Sequence, residues 1–277
     1  AITDMDFDHL IGQEVGTATL LKELDRGAMA VVFVAYQRTL KRQIAVKVLP
    51  KSLLTPENTA LFQQEAETAA ILSHPNIIQI YEVGNADEFL FFTMQLIQGK
   101  PLSFFIARAK KHVIPSKRFF PVKLAAKLVL AVLDGLAYAH DQDIIHRDIK
   151  PSNILIEQHT QRPIIMDFGI SRSVRDPETV NTGVMGTPTY IAPEHILGDT
   201  VDGRVDVYAT GMMLFQLLVP SLPITPHGST KELLKLKLDD QLFIKKPSEL
   251  NPNADAGIDR IILKALAVDP SDRYATC

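Results

Sequence analysis

The segment HRDIKPSN, residues 146–153, sets a carboxylate, a cation and an amide within one short stretch. Asp148 can accept the proton of a substrate hydroxyl. Asn153 can hold a metal ion through its amide oxygen, and Lys150 can neutralise a phosphoryl group in transfer. A single aspartate in a loop is ordinarily a turn residue. Three chemically matched residues in fixed register make that bland reading hard to sustain.

Working outward, Asp167-Phe168-Gly169 follows the apolar run Pro163–Met166. A carboxylate at a strand end suits Mg²⁺, a hard cation that takes oxygen ligands and bridges phosphates. Asp-Phe-Gly alone is a common turn tripeptide, but so soon after Asn153 it makes Asn153 and Asp167 a metal-binding pair. Upstream, IAVKVL at 44–49 places Lys47 inside an apolar strand pattern. Its plain alternative is an edge-strand lysine that discourages aggregation. Two glutamates on the following helix, Glu65 and Glu67, qualify as its partner by charge. They lie about 200° apart around a helix, so only one can face Lys47. Gly99-Lys100-Pro101 is not a phosphate-binding P-loop, because Met94 stands at the first glycine and Pro101 replaces the Ser/Thr.

The surrounding pattern divides the chain. Thr19–Leu24, Ala30–Gln37 and Gln43–Leu49 are short β-branched or apolar runs separated by turns, as in a meander. A helix is expected from Pro56 to Leu72, then strands near Ile78–Val83 and Phe89–Met94. Beyond Gly99 the period becomes helical. Val122–Asp141 carries Leu124, Leu128, Val132 and Leu136 at fourfold spacing, and further helices are expected at Arg204–Val219 and Ile258–Ala267. The stretch Ser171–Thr189 is long, polar and without period, as functional loops often are.

Composition narrows the function classes. The 29 Lys+Arg against 32 Asp+Glu give a net charge of −3, which offers no broad basic face for nucleic acid. The single cysteine, Cys277, cannot staple a domain, so a reducing, cytoplasmic setting is expected. No apolar run reaches the roughly 20 residues a bilayer span requires, so the domain itself is expected to make no membrane contact. The start at Ala1 and the end at Cys277 suggest a fragment, such as the cytosolic domain of a larger membrane-anchored protein.

Together these motifs resemble the eukaryotic-type protein kinase superfamily, and its bacterial serine/threonine members in particular, from about Thr19 to Arg273. The resemblance implies an α+β, bilobal, protein-kinase-like fold. Residues 1–96 would form a small antiparallel β-sheet lobe with one helix, and residues 97–277 a larger, mainly helical lobe. It implies ATP and Mg²⁺ as cofactors, with Mn²⁺ as an alternative metal, and protein substrates bearing Ser/Thr acceptors. A homodimer for trans-autophosphorylation is compatible with it. By resemblance Lys47 contacts ATP phosphates, Glu65 pairs with Lys47, Asp148 is the base with Lys150 and Asn153 beside it, and Asp167 binds Mg²⁺. Met94 resembles the gatekeeper, Gln95 to Ile97 the adenine-binding hinge, and Val32, Ala45 and Leu155 the apolar adenine sandwich. GTPTYIAPE at 186–194 resembles the segment that receives substrate and, with Lys150, favours Ser/Thr over Tyr acceptors. The resemblance also pairs Glu194 with Arg273 and assigns Asp206 to bracing the catalytic loop. Thr187 would be structural, while Ser171, Ser173, Thr179 and above all Thr182 are candidate sites of activating phosphorylation, with Arg147, Arg172 and Arg175 as phosphate ligands.

One motif departs. The phosphate-covering loop should read G-x-G-x-x-G-x-V, but DRGAMAVV at 25–32 keeps only Gly27, with Asp25 and Ala30 at the outer glycines. A positive φ forced on Ala30 would cost roughly 1–2 kcal/mol. Asp25 near a phosphate would add about 1 kcal/mol of repulsion in water. Weakened ATP binding is therefore expected, and a pseudokinase or scaffold that binds nucleotide or a partner without efficient catalysis is the alternative function.

Overall fold

A computed structural model describes residues 6–27, 30–168 and 188–277, without the side chains of residues 56–58, 61, 62 and 65. The described chain forms two compact units, one of residues 6–98 with Phe168, the other of residues 99–167 and 188–277.

The first unit is a six-stranded antiparallel sheet with one helix. Its strands are β1 (Glu14–Val15), β2 (Ala18–Arg26), β3 (Val31–Gln37), β4 (Arg42–Pro50), β5 (Ile80–Asn85) and β6 (Phe89–Met94), in the order β1-β2-β3-β4-β6-β5. Helix α1 (Pro56–Ala70) connects β4 to β5. The β-branched and aromatic runs of β3 and β4 suit interior strands packed on both faces. Period-2 alternation sorts their side chains. Phe33, Ala35, Ile44, Val46 and Val48 enter one core together with Leu20 and Phe91. On the opposite face Val32 pairs with Lys47 and Val34 with Ala45, while Ala45 pairs with Met94 and Lys47 with Phe92.

The second unit carries a three-stranded antiparallel sheet, β7 (Gly99–Pro101), β8 (Ile154–Glu157) and β9 (Pro163–Ile165), in sequence order. Its helices are α2 (Leu102–Lys110), α3 (Val122–His140), α4 (Pro193–Leu197), α5 (Arg204–Leu218), α6 (Thr230–Leu238), α7 (Pro247–Leu250) and α8 (Ala256–Ala265). On α3 the buried stripe is Ala125, Leu128, Val129, Val132, Leu136 and Ala139, whereas Leu124 of the expected fourfold row is 43% exposed. The helix start turns Leu124 just off the core-facing arc. Helix α5 is buried almost all round, in keeping with its largely apolar sequence. A Cβ added to Gly211 would lie 2.7 Å from the Ala265 Cβ, so glycine lets α5 and α8 approach closely. Among the described residues, no helix is long and apolar enough to cross a membrane.

Candidate active site

The catalytic-loop segment is built on one buried carboxylate. Asp206, in the first turn of α5, is buried and accepts the main-chain N–H of His146 at 2.9 Å and of Arg147 at 2.8 Å. His140, at the end of α3, adds its Nε2 at 2.8 Å. Three donors on a buried carboxylate offset the desolvation that would otherwise expel it. Gly203 makes room: a Cβ there would lie 2.6 Å from the His140 ring. Asp206 thus braces the segment at successive amides.

His146 ties that segment to the strand leading to Asp167. Its Nε2 donates to the Met166 carbonyl at 2.7 Å and its Nδ1 accepts the Asp148 N–H at 3.2 Å. Because a carbonyl can only accept, the ring proton sits on Nε2. The Met166 N–H returns a 2.8 Å bond to the Asn153 carbonyl. Arg147 and Asp167 both hold positive φ, 65° and 58°. Such backbone costs of order 1–3 kcal/mol in a non-glycine residue and persists where the surroundings over-determine it. The flanking hydrogen bonds do so here, and no sequence motif announces this strain.

The functional side chains converge on Asp148. Lys150 Nζ lies 3.0 Å from Asp148 Oδ2, and Asn153 Nδ2 donates to the Asp148 carbonyl at 2.8 Å and to Oδ2 at 3.1 Å. Both amide hydrogens of Asn153 are thereby used, which leaves its Oδ1 as the oxygen it can offer a cation. Asp167 supplies a second hard oxygen donor. Among the described residues no group of three or more His, Cys, Asp or Glu could hold a metal by itself. Asn153 Oδ1 and the Asp167 carboxylate are hard oxygen donors, of the kind a divalent cation completed by phosphate oxygens and water takes. Arg147 is half-buried, and with Asp148, Tyr190, Ile191 and His195 it lines a small recess beside the base.

In the first unit, Val32, Ala45, Lys47 and Met94 share the sheet face opposite the Phe33–Val46 core. Lys47 lies on β4, an interior strand between β3 and β6, so the edge-strand reading fails. Its Nζ stands 5.6 Å from the Phe92 ring centroid, and the chain around it is buried. The side chain of Glu65 lies outside the described residues, whereas Glu67 is exposed and accepts a 3.1 Å bond from Gln63. Gln95 donates its N–H to Gln79, and Gln95 and Ile97 are half-buried. In the second unit Leu155 is half-buried on β8 opposite Ile164.

Residues 28 and 29 of the phosphate-covering loop lie outside the described residues. Ala30 is buried. The Gly27 N–H donates to the Ala30 carbonyl at 2.9 Å. Asp25 is exposed, and its Oδ1 accepts the Arg26 N–H at 2.9 Å.

The segment from 188 onward is held from three sides. Glu194 pairs with Arg273, Tyr190 donates its hydroxyl to Gln216, and Lys237 donates to three of the segment's carbonyls. Burial pushes the Tyr190 hydroxyl up to about 12. Lys237 was not singled out from the sequence, nor was its helix α6. Ser229 with Glu232 three residues on is the capping pattern that marks the start of α6, and Ser229 indeed accepts the Glu232 N–H at 3.1 Å. Gly169, Ser171, Arg172, Ser173, Arg175, Thr179, Thr182, Gly186 and Thr187 lie outside the described residues.

Residues 18–277 match the protein kinase domain family, and the chain belongs to that family. It is 34% identical over 279 residues to the serine/threonine-protein kinase Pkn1 of Myxococcus xanthus, covering 97% of this chain and 38% of that protein. It is 33% identical over 272 residues to the serine/threonine-protein kinase PrkC of Bacillus subtilis, covering 96% of this chain and 40% of that protein. The chain thus spans about two fifths of the length of these relatives. The crystal structure of the Mycobacterium tuberculosis PknI kinase domain aligns with a TM-score of 0.75 at 29% identity, covering 96% of this chain and 94% of that one. The fold is that of a protein kinase domain, with an antiparallel β-sheet unit and a helical unit.

Proposed function

We propose that this domain transfers the γ-phosphate of Mg-ATP to Ser/Thr hydroxyls of protein substrates. The observation that carries the reading is the Asp148 carboxylate, fixed by Asn153 and Lys150 within a loop braced on Asp206. When bound, Mg²⁺ supplies charge neutralisation of the phosphates. Asp148 accepts the proton of the acceptor hydroxyl, and Lys150, 3.0 Å from it, stands close enough to turn its ammonium toward the transferring group. Asn153 Oδ1 and the Asp167 carboxylate would hold the metal. Lys47, with Glu65 as its partner, engages the phosphates, and Val32, Ala45, Met94, Gln95, Ile97 and Leu155 bind the adenine. Mg²⁺ is the metal of this reading, and Mn²⁺ is the alternative, since a hard-oxygen set suits both ions. The test is transfer from labelled ATP to a generic basic protein, run with each metal and with Asp148→Asn as control. Nucleotide binding without transfer in the wild-type protein would leave only a binding module.

A further inference from the structure

Helix α6 sends one cation into the protein. Lys237 is 2% exposed, and its Nζ donates to the carbonyls of Pro188 and Thr189 at 2.9 Å each and of Ile191 at 2.5 Å. An ammonium has three hydrogens, and all three are accounted for within four residues of one segment. The ammonium also lies 5.1 Å from the Tyr208 ring centroid, a favourable place for a cation over an aromatic face.

This burial is not what stability alone would select. A buried ammonium pays desolvation that an apolar side chain of similar volume does not, so a methionine would serve packing at least as well. What the cation does and methionine cannot is draw three carbonyls to a single point. That convergence specifies the backbone of residues 188–191. The same segment, through Tyr190 and Ile191, forms one wall of the recess whose other wall includes Asp148 and Arg147.

We propose that Lys237 is a positioning residue for protein substrate, holding residues 188–191 in the conformation against which the acceptor chain lies beside Asp148. The inference rests on the kinase reading above. The ammonium of Lys237 is spent on the carbonyls of residues 188–191 and on the Tyr208 ring, so its contribution falls on the binding of the protein substrate and not on that of ATP.

The experiment compares wild type with Lys237→Met by steady-state kinetics, varying a histone-type basic protein and ATP separately. The expected result is a KM for the basic protein raised about tenfold or more, since three hydrogen bonds that order the segment are lost. The KM for ATP should stay within about twofold, and the thermal midpoint should be held or raised. Lys237→Gln keeps two N–H donors and should give an intermediate KM. It also serves as the reading should the methionine variant not fold. A purely structural lysine would lower the yield of active enzyme and leave that KM unmoved. An unchanged KM for the basic protein in either folded variant overturns the inference alone. A wild-type protein that binds ATP yet transfers no phosphate overturns the kinase reading and the inference with it.

Discussion

Arg273 grips Glu194 through two parallel hydrogen bonds, Nη1 to Oε1 at 2.6 Å and Nη2 to Oε2 at 2.8 Å. The guanidinium is wholly buried, and its other hydrogens go to the carbonyls of Ala267, Val268 and Arg204. One side chain thereby joins α4, the start of α5 and the turn after α8. Bidentate geometry of this kind is available to arginine and not to lysine.

Removing one partner of a buried pair leaves the other charge uncompensated. Arg273→Ala is expected to destabilise the protein by about 3–5 kcal/mol. Arg273→Lys should recover part of that, since the charge stays but the fork is lost. Denaturant unfolding of the three proteins is the measurement, and a loss below about 1 kcal/mol for Arg273→Ala would show that the pair is dispensable.

Asp148→Asn keeps the shape of the base and removes its capacity to take a proton. The turnover number should fall on the order of 10²–10⁴-fold, the usual contribution of positioned acid–base catalysis. Binding of Mg-ATP should change little, because Asn153 and Asp167 are untouched. Calorimetry beside the transfer assay separates the two quantities. Full turnover by the variant would remove Asp148 from the base's role.

Asp25 and Ala30 stand where the phosphate-covering loop has its outer glycines. If Ala30 is forced to positive φ, Ala30→Gly should tighten Mg-ATP by up to about 1–2 kcal/mol, the strain it relieves. Asp25→Gly removes an exposed carboxylate and should tighten Mg-ATP by no more than about 1 kcal/mol. A calorimetric titration in which Ala30→Gly binds Mg-ATP no tighter than wild type would overturn the strain argument.

The chemistry was legible because it is local. HRDIKPSN and the Asp167 motif carry their roles in contiguous residues, and IAVKVL announces Lys47 by its alternation. The long helix α3 was legible from its period, and α5 and β6 from their apolar runs. Of the short elements, β9 showed as the run Pro163–Met166, but β7 and β8 span three or four residues, too few for a period to show, and α2 begins on Leu102 without a capping side chain. Sequence also could not tell that Arg147 and Asp167 adopt positive φ, since those angles follow from hydrogen bonds to His146, Asn153 and Asp206. Lys237 was hidden for a similar reason. In sequence it is one lysine of several in TKELLKLKL, and only the fold turns it toward the carbonyls of residues 188–191.

The same lysine should tie stability to pH. Burial pulls the Lys237 ammonium from its ordinary value down to about 7, with Glu194 pushing it back up and Arg273 adding to the fall. The unfolded chain keeps the ordinary value near 10.5. Between the two, the unfolded state binds a proton that the folded state has released, so stability against unfolding rises with pH through this window. The slope for one such proton approaches about 1.4 kcal/mol per pH unit. Below about pH 7 both states are protonated and the contribution is flat. The released form carries only two hydrogens for the carbonyls of Pro188, Thr189 and Ile191, so one carbonyl loses its donor as the fold gains stability. Denaturant unfolding of wild type and Lys237→Met at several values from about pH 6.5 to 9 isolates the effect, because the variant lacks the titrating group. The difference in stability between the two proteins should shift toward wild type as pH rises. Parallel pH profiles for the two proteins would mean that the three carbonyls keep Lys237 charged throughout the range.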